Sequence, residues 1–227
     1  MPSRPLPSNF PTPIIPPSLL HHAISPSKWH ANHPRLTRLC VGALIFRLNP
    51  LTQTPQILLI QRASTDFFPN LWEIPGGSVE ATDSTLLDAV VREVWEETGL
   101  LLKGFKAQAW DFKVGEKRVV RELGRDGSGK EVEREVVVGA EAGEGEVEFL
   151  GGKGEVWCKL NFVVDIGDVG DQKVVLDEEE HQDWGWFGRQ DIFGNGEVGT
   201  RMRREFVSEQ ALRIVERGFE LFEKGNL

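Results

Sequence analysis

The sequence has few cysteines, no long apolar run and no acidic residue before position 66. Its two cysteines, Cys40 and Cys158, fall in strand-like stretches, so we expect buried reduced thiols rather than a disulfide or a metal site. No apolar run approaches the roughly 20 residues that span a bilayer, and no apolar signal-peptide core is found near the N-terminus. We therefore expect a cytoplasmic protein, although the basic N-terminal segment leaves organelle targeting open.

The charge is distributed unevenly along the chain. Residues 1–65 contain six Lys or Arg and no Asp or Glu, whereas the rest contains 20 basic and 35 acidic residues. A strongly acidic body argues against general nucleic-acid binding, so we expect neither a nucleic-acid nor a membrane partner. Any site for an anionic substrate must then be neutralised locally, for example by metal ions.

Residues 1–37 are rich in proline, serine and histidine. Proline at this density prevents a continuous helix, and the segment offers few apolar side chains to bury. We expect an extended, poorly ordered tail over 1–37, followed by one domain over 38–227 with a charged, glycine-rich insertion at about 115–156. The tail histidines are expected to be solvated rather than metal-bound: His21, His22, His30 and His33.

The domain mixes strand and helix patterns. Residues 39–62 predict a hairpin and 71–77 a short strand that stops at Pro75 and two glycines. A helix is expected over about 84–98, with Asp83, Ser84 or Thr85 as N-cap and Gly99 at its C-terminal end. Further strands are expected at 105–114, 157–166 and 181–192, a hairpin and an acidic loop within 115–156, and a final helix over 201–224. This order favours a single α/β domain.

Three glutamates are crowded near the end of the predicted helix. At about 100° per residue, Glu93, Glu96 and Glu97 share one face. Convergent carboxylates repel one another but attract hard cations such as Mg²⁺ and Mn²⁺. Arg92 lies next to them and can orient them through charge-assisted hydrogen bonds. A solvated acidic face is the alternative, but the preceding Pro-Gly-Gly bend, the embedded arginine and the closing glycine favour a site.

The stretch REVWEETGL, with GG upstream, closely resembles the Nudix box, G-x5-E-x7-R-E-U-x-E-E-x-G-U, where U is aliphatic. Residues 92–100 match every defined position of its second half. The resemblance extends to LLIQRA, LWEIPGG and EEEHQDWGWF, and so covers most of 38–192. It implies a Nudix-type α/β/α sandwich around a mixed β-sheet.

The resemblance also implies an activity. Members of this family hydrolyse a nucleoside diphosphate linked to another moiety X, by attack of water on a diphosphate phosphorus with divalent metals present. If the family's ligand positions are transferred to this sequence, Glu93, Glu96 and Glu97 would hold Mg²⁺ or Mn²⁺, with the Gly76 carbonyl as a further ligand. Glu96 and Glu97 are thereby catalytic candidates, and the partner is a small nucleotide-diphosphate substrate. The resemblance also implies a structural role, rather than a catalytic one, for four residues of the box: Gly77, Asp83, Arg92 and Gly99.

The general base of this family often comes from a glutamate in a late loop. Glu180 is the expected base and Glu179 the second choice, while a solvated acidic turn is the alternative. His181 either orients this loop or is a surface histidine. Arg62 resembles a phosphate-contacting arginine of the family, with an edge-strand surface cation as the alternative.

Three tryptophans offer aromatic surface for a substrate base. Trp72 is assigned to substrate binding, and Trp184 and Trp186 have the same chemical capacity. We expect at least two of the three to be core residues.

The first half of the box departs from the family pattern. One extra residue stands between Gly77 and Arg92, so the first glutamate of the family is replaced by Asp83 or Ser84. In the family that glutamate is mainly structural and holds the loop to the helix through the arginine. We therefore expect an intact metal site with an altered loop anchor; an altered loop with lost activity is the alternative.

Three other functions compete with a pyrophosphohydrolase. A non-catalytic nucleotide- or protein-binding module would bind metal without turnover. An isomerase acting on a prenyl diphosphate would call for a catalytic cysteine in a suitable motif, whereas Cys40 and Cys158 lie in core-like strands. RNA decapping would call for basic surface that the acidic body lacks.

Overall fold

The computed structural model describes residues 4–8, 10–34, 36–66, 68–110, 117–123, 131–137, 147–150, 156–167, 172–197, 199, 202 and 205–224. Strands β1 to β9 are, in chain order, Arg38–Leu48, Pro55–Arg62, Trp72–Glu73, Gly104–Ala109, Lys117–Leu123, Glu131–Val137, Val147–Leu150, Val156–Asp165 and His181–Gly188. The helices are a 3-10 helix, Pro17–His22, and α1 to α4: Pro26–Asn32, Leu86–Thr98, Arg189–Phe193 and Glu209–Glu223.

The main sheet is mixed. Its core order is β3-β2-β1-β8-β4, β9 pairs with β2, and β7 pairs with β8. Strand β1 is parallel to β8 and antiparallel to β2, which confirms the predicted hairpin. Strands β5 and β6 pair antiparallel in a separate two-stranded sheet, as expected within the insertion. The mixed α/β class is therefore confirmed.

Two apolar clusters lie on opposite faces of this sheet. One joins α2 to the side chains of β1 and β8 that include Val41 and Leu160. The other joins α4 to the opposite face, where Leu44 and Val163 lie. Because successive strand residues point to opposite faces, one strand serves both clusters. The result is the expected α/β/α layering.

Helix α2 follows its local sequence signals. Thr85, one of the three predicted N-caps, accepts a hydrogen bond from the Asp88 N–H, and Gly99 ends the helix at φ 66°. That backbone angle favours glycine because a side chain is strained there. Leu86, Val90 and Val94, which recur every four residues, are buried. Glu93 and Glu97 follow seven residues after Leu86 and Val90, so these two carboxylates continue the same buried side toward the end of the helix.

The N-terminal segment differs from the expected extended tail. Its two short helices begin with Pro17 and Pro26, which occupy the first helical positions. Proline suits that position because its N–H has no partner there in any helix. Leu19 and Trp29 are buried against the domain core. The described part of the segment therefore packs against the domain through these side chains.

One of the tail histidines corrects the expectation of solvated imidazoles. The Nε2 atom of His22 lies 2.9 Å from Gln108 Oε1, and its ring packs edge to face on Phe162. Burial lowers the pKa of His22 to about 4, against the opposing effect of Gln108. His22 is therefore a neutral core residue.

Most of the remaining helices and strands are of the predicted type but begin or end at other residues than predicted. Strand β4 ends at Ala109, and positions 111–114 lie outside the described residues. Residues 147–150, expected in an acidic loop, form β7 and pair with β8, while 138–146 and 151–155 lie outside the described residues. The last helix begins at Glu209, after its N-cap Ser208. Cys40 and Cys158 are buried and form no disulfide with each other. Among the described residues, no helix is long and apolar enough to cross a membrane.

Candidate active site

The Pro-Gly-Gly stretch runs along β1 at very short range. The Ala43 N–H donates to the Pro75 carbonyl and the Val41 N–H to the Gly77 carbonyl, at 2.8 and 2.9 Å. Gly76 has φ 145°, and a Cβ atom there would lie 2.2 Å from the Val41 carbonyl oxygen. Glycine is required at this position, because both the angle and the contact exclude a side chain. The chain is thereby held against the sheet beside the end of α2.

Gly76 contacts the carboxylate helix through its amide. Its N–H donates to Glu97 Oε2 at 2.6 Å. A Cβ atom on Gly77 would lie 2.8 Å from a carboxylate oxygen of Glu93. The two glycines therefore let the backbone approach both carboxylates, as the sequence predicted, and the observed contact of Gly76 is through its N–H.

Arg92 connects the loop to the carboxylates. Its Nη1 lies 2.9 Å from both Glu93 Oε1 and Glu96 Oε2, and its Nη2 donates to the Ser78 carbonyl. Its Nε and Nη2 lie 2.9 and 3.0 Å from the two carboxylate oxygens of Asp83. Burial alone would lower the pKa of Arg92, but the three carboxylates raise it above its ordinary value. Arg92 therefore stays charged and holds Glu93 and Glu96 in place.

Asp83 occupies the loop-anchoring position that the sequence left open between Asp83 and Ser84. Besides its two-pronged contact with Arg92, its Oδ2 accepts a hydrogen bond from the Glu80 N–H at 2.7 Å. Ser84 is exposed. A two-oxygen contact restrains the guanidinium plane, which a serine hydroxyl does not do.

Asp83→Ala is expected to destabilise the protein by about 1–3 kcal/mol, because it leaves Arg92 and the Glu80 N–H without this partner. Ser84→Ala is the matched control and should stay within about 0.5 kcal/mol. Urea unfolding of both variants measures the difference. Equal effects of the two substitutions would contradict the assignment of the anchor to Asp83.

A second group of side chains gathers at the end of α2. Ligand atoms of Glu97, Glu180 and His181 all lie within 4.8 Å of one another. Glu73 joins them, since its Oε1 lies 3.6 Å from His181 Nε2. Glu97 comes from α2, Glu73 from β3, His181 from the start of β9 and Glu180 from the turn just before it. Four side chains from separate parts of the chain thus converge, and they include the predicted base, Glu180.

Glu73, Glu93 and Glu97 are buried carboxylates that lie close together, whereas Glu180 is exposed. Burial raises the pKa of Glu93 to about 7, with Arg92 opposing and Glu96 and Glu180 adding to the shift. Burial and the neighbouring carboxylates Glu93 and Glu73 raise the pKa of Glu97 well above its ordinary value.

Two further carboxylates shift in opposite directions. Burial raises the pKa of Glu180, partly offset by His181. Burial would also raise the pKa of Glu73, but His181, Lys159 and Arg62 together lower it below the ordinary value. Glu73 therefore ionises more readily than Glu93, Glu97 and Glu180, which hold their protons to higher pH.

These residues fit a divalent cation. Carboxylate oxygens are the preferred ligands of Mg²⁺ and Mn²⁺, and a cation would offset the repulsion that raises the pKa values. The carboxylates of Glu93 and Glu96 are bonded to Arg92 and lie outside the three-residue set of Glu97, Glu180 and His181. The structure thus divides the predicted ligand set into a group held by Arg92 and a group centred on Glu97.

Arg62 lies at the edge of the site. Its Nη1 pairs with Glu73 Oε1 and its Nη2 with Asp66 Oδ2, each at 2.5 Å. It therefore positions Glu73, a contact that the sequence did not foresee. Binding of phosphate by Arg62 stays a prediction.

Trp72 lies on the far side of the sheet from the carboxylates. It is 8% exposed and packs edge to face on Phe187 in the cluster under α4. This burial argues against its assignment to substrate binding. Trp186 is also partly buried, with the Arg47 guanidinium 4.4 Å from its ring centre. Trp184 is 37% exposed.

Strand register places Trp184 near the site. Ile60 is the partner of both Glu73 and Trp184, and paired residues of neighbouring strands point to the same face. Trp184 therefore shares its face with Glu73, two strand spacings away, or about 10 Å. Of the three tryptophans considered, Trp184 is the one that is both accessible and on the face of the carboxylates.

Comparisons with known proteins agree with this geometry. The NUDIX domain family matches residues 37–208, which is more than half of the chain. The chain belongs to the NUDIX domain family.

Its curated relatives align over short stretches. The m7GpppN-mRNA hydrolase NUDT17 of Bos taurus is 55% identical over 47 residues, which are 20% of this chain and 15% of that protein. The RNA pyrophosphohydrolase of Rhizobium meliloti (strain 1021) is 31% identical over 75 residues, 33% of this chain and 44% of that protein. This chain thus covers less than half of either relative.

Solved structures align over more of the chain. The NUDIX domain of Shewanella oneidensis NrtR complexed with ADP ribose is 18% identical, with a TM-score of 0.47, and the match covers 88% of this chain and 99% of that one. The MutT NUDIX hydrolase from Burkholderia pseudomallei is 22% identical, with a TM-score of 0.42, over 75% and 98% of the two chains.

Proposed function

We propose that this protein is a metal-dependent pyrophosphohydrolase that cleaves a nucleoside diphosphate linked to another moiety X. The observation that carries the proposal is the convergence of Glu97, Glu180 and Glu73 around one point at the end of α2, with Glu93 and Glu96 held beside them by Arg92. Crowding of buried carboxylates is unfavourable by itself. It becomes favourable when a cation and an anionic diphosphate occupy the same place.

The proposed roles follow from the positions of the residues. Glu97, with Glu93 and Glu96, would hold Mg²⁺ or Mn²⁺, which supplies charge stabilisation for the phosphoryl oxygens and promotes ionisation of the attacking water. Glu180 accepts the proton of that water. Its raised pKa suits a general base, because a base works best when its pKa lies near the working pH.

Substrate selection is proposed to involve Trp184 rather than Trp72. Its indole is accessible, and its backbone position lies two strand spacings, about 10 Å, from that of Glu73 on the same face of the sheet. That separation suits a nucleobase stacked on the indole while its diphosphate reaches the carboxylates.

Trp184→Ala is expected to raise KM about tenfold with little change in kcat, because base–aromatic stacking contributes about 1–3 kcal/mol to binding. Trp184→Phe keeps an aromatic face and should stay close to the wild type. Steady-state kinetics on the best substrate measures both. An unchanged KM in Trp184→Ala would exclude this stacking role.

Binding of Mn²⁺ is expected to stabilise the protein more at pH 8 than at pH 6. The cation has to displace protons from carboxyls whose pKa values are raised, to about 7 for Glu93 and well above the ordinary value for Glu97. A tenfold loss of affinity lowers the stabilisation by about 1.4 kcal/mol at saturating metal. Thermal unfolding with Mn²⁺ or with EDTA at both pH values tests this, and an equal shift in Tm at both would contradict it.

A second candidate is hydrolysis at the capped or triphosphorylated 5′ end of RNA. The specific observation in its favour is the similarity to the m7GpppN-mRNA hydrolase and the RNA pyrophosphohydrolase. The acidic composition of residues 66–227 speaks against tight RNA binding. A short capped oligonucleotide could still use the same anhydride chemistry.

A panel of substrates with Mg²⁺ or Mn²⁺ tests the function. It comprises ADP-ribose, dinucleoside polyphosphates, NADH, CoA, oxidised nucleotides and a capped RNA oligonucleotide, each assayed also with Glu96→Gln and Glu97→Gln. We expect turnover of at least one compound that both substitutions reduce. Metal binding without any turnover would favour the non-catalytic binding module, and turnover unaffected by both substitutions would refute the assigned site.

A further inference from the structure

His181 stands inside the carboxylate group and has no assigned role in the proposed reaction. It is the first residue of β9, directly after Glu180, and it is 1% exposed. The register of β2 and β9 shifts between Gln61 and Arg62, just where Arg62 pairs with His181. Such an irregularity re-aims side chains at the end of a strand. Here the imidazole is turned into the site.

Neither ring nitrogen of His181 has a hydrogen-bond partner among the described residues. Its Nε2 lies 3.6 Å from Glu73 Oε1 and 3.7 Å from Glu97 Oε1, too far for a direct hydrogen bond. A buried polar group without a partner is unfavourable and rare in native proteins. An imidazole in this position, facing two carboxylates, therefore has unused binding capacity.

We propose that His181 is a nitrogen ligand of the divalent cation, beside the carboxylate ligand Glu97. The inference rests on the metal site of the proposed function and adds a ligand to it. Ligand atoms of His181, Glu97 and the proposed base Glu180 lie within 4.8 Å of one another, and opposite ligands of one ion with bonds of about 2.0–2.2 Å are about 4.0–4.4 Å apart. Small side-chain rotations bring the set to that span.

A nitrogen ligand changes which ion the site prefers. Mg²⁺ takes oxygen ligands and keeps several waters, whereas imidazole suits transition ions. A mixed set of carboxylates and one imidazole therefore selects Mn²⁺ over Mg²⁺. A protein whose ligands are carboxylates alone would discriminate less between the two ions.

Pulsed electron paramagnetic resonance of bound Mn²⁺ tests the proposal directly. A coordinated imidazole gives ¹⁴N modulation of the Mn²⁺ signal, and we expect it in the wild type and in the control His21→Gln, whose histidine is exposed and outside the site. His181→Gln should lose the modulation while still binding Mn²⁺ through carboxylates. Titration calorimetry should show the ratio of Mn²⁺ to Mg²⁺ affinity falling at least tenfold in His181→Gln.

The outcomes separate this inference from the proposed function. Mn²⁺ bound to the wild type without ¹⁴N modulation would overturn the role of His181 and leave the carboxylate site standing. Failure of the wild type to bind Mn²⁺ at all would overturn both. If His181→Gln does not fold, the wild-type spectrum with ¹⁵N-labelled histidine still decides, because labelling changes the modulation only when a histidine is coordinated.

Discussion

Glu97→Gln is expected to lower kcat about 10³-fold, which corresponds to a loss of about 4 kcal/mol of transition-state stabilisation. Glu97 is the α2 carboxylate that belongs to the three-residue ligand set, and it also accepts the Gly76 N–H. Glutamine keeps the shape and an acceptor oxygen for that hydrogen bond, so it removes the charge and leaves the packing in place. Steady-state kinetics at saturating Mn²⁺ measures the effect.

The same substitution is expected to leave the stability in EDTA unchanged or higher. The pKa of Glu97 in the folded state is raised well above its ordinary value of 4.5. The folded state therefore binds more protons than the unfolded state above pH 4.5, and the wild type loses stability as the pH rises from there. Glu97→Gln removes this contribution to the pH dependence, because the amide does not titrate.

Glu209→Gln, at an exposed position of α4, is the matched control and should leave the activity unchanged. A lower Tm of Glu97→Gln in EDTA at pH 8 would mean that the lost activity reflects unfolding. In that case the assignment of Glu97 to the metal site would lose its support.

The parts of the site that sequence could predict are those that depend on local spacing. Helix α2 carries its own start and end signals in Thr85 and Gly99, and its period puts Glu93, Glu96 and Glu97 on one side. The need for glycine at position 76 also follows from a local bend. Residues one helical turn apart lie close together regardless of the tertiary structure. These predictions therefore required no tertiary information.

The contacts that sequence missed connect distant segments. Glu73 meets Glu97 only because β3 pairs with β2 and the chain then crosses to β1. His181 enters the site because β9 pairs with β2 at a shifted register. The local sequence around Glu73 and His181 does not predict these contacts. A signal did exist in the alternation of Trp72 and Glu73, which requires the two side chains to lie on opposite faces.

The box pattern alone does not decide whether Asp83 or Ser84 anchors the loop to Arg92. The extra residue leaves either one in the position of the missing glutamate. Side-chain reach decides between them, because Asp83 presents two oxygens to Nε and Nη2 of Arg92. The inserted residue is thus absorbed in the loop, and the spacing within α2 is unaffected.

The N-terminal segment contains more helix than its proline content predicts. Proline disrupts a helix interior but is accepted at its first position, and Pro17 and Pro26 both stand there. Hydrogen bonds also connect the segment to helix α2. The Leu86 N–H donates to the Ile24 carbonyl, and the Trp95 indole N–H donates to the Pro5 carbonyl. The segment thereby joins both ends of the helix that carries the site.

Trp29→Ala is accordingly expected to destabilise the protein by about 3–5 kcal/mol, the usual range for removing a buried tryptophan. Trp29 is 2% exposed, lies in the same apolar cluster as α2 and stacks on His33 with ring centres 4.3 Å apart. In a domain of this size, such a loss lowers Tm by about 10 °C. Urea unfolding and calorimetry measure both quantities.

Leu20→Ala is the control within the same segment, because Leu20 is 55% exposed and should change stability by less than about 0.5 kcal/mol. A loss below about 1 kcal/mol in Trp29→Ala would show that residues 4–34 are a detachable tail, as the composition suggested. A large loss would instead make this segment part of the folding unit. Since the segment contacts both ends of α2, Trp29→Ala should then also weaken Mn²⁺ binding near its Tm.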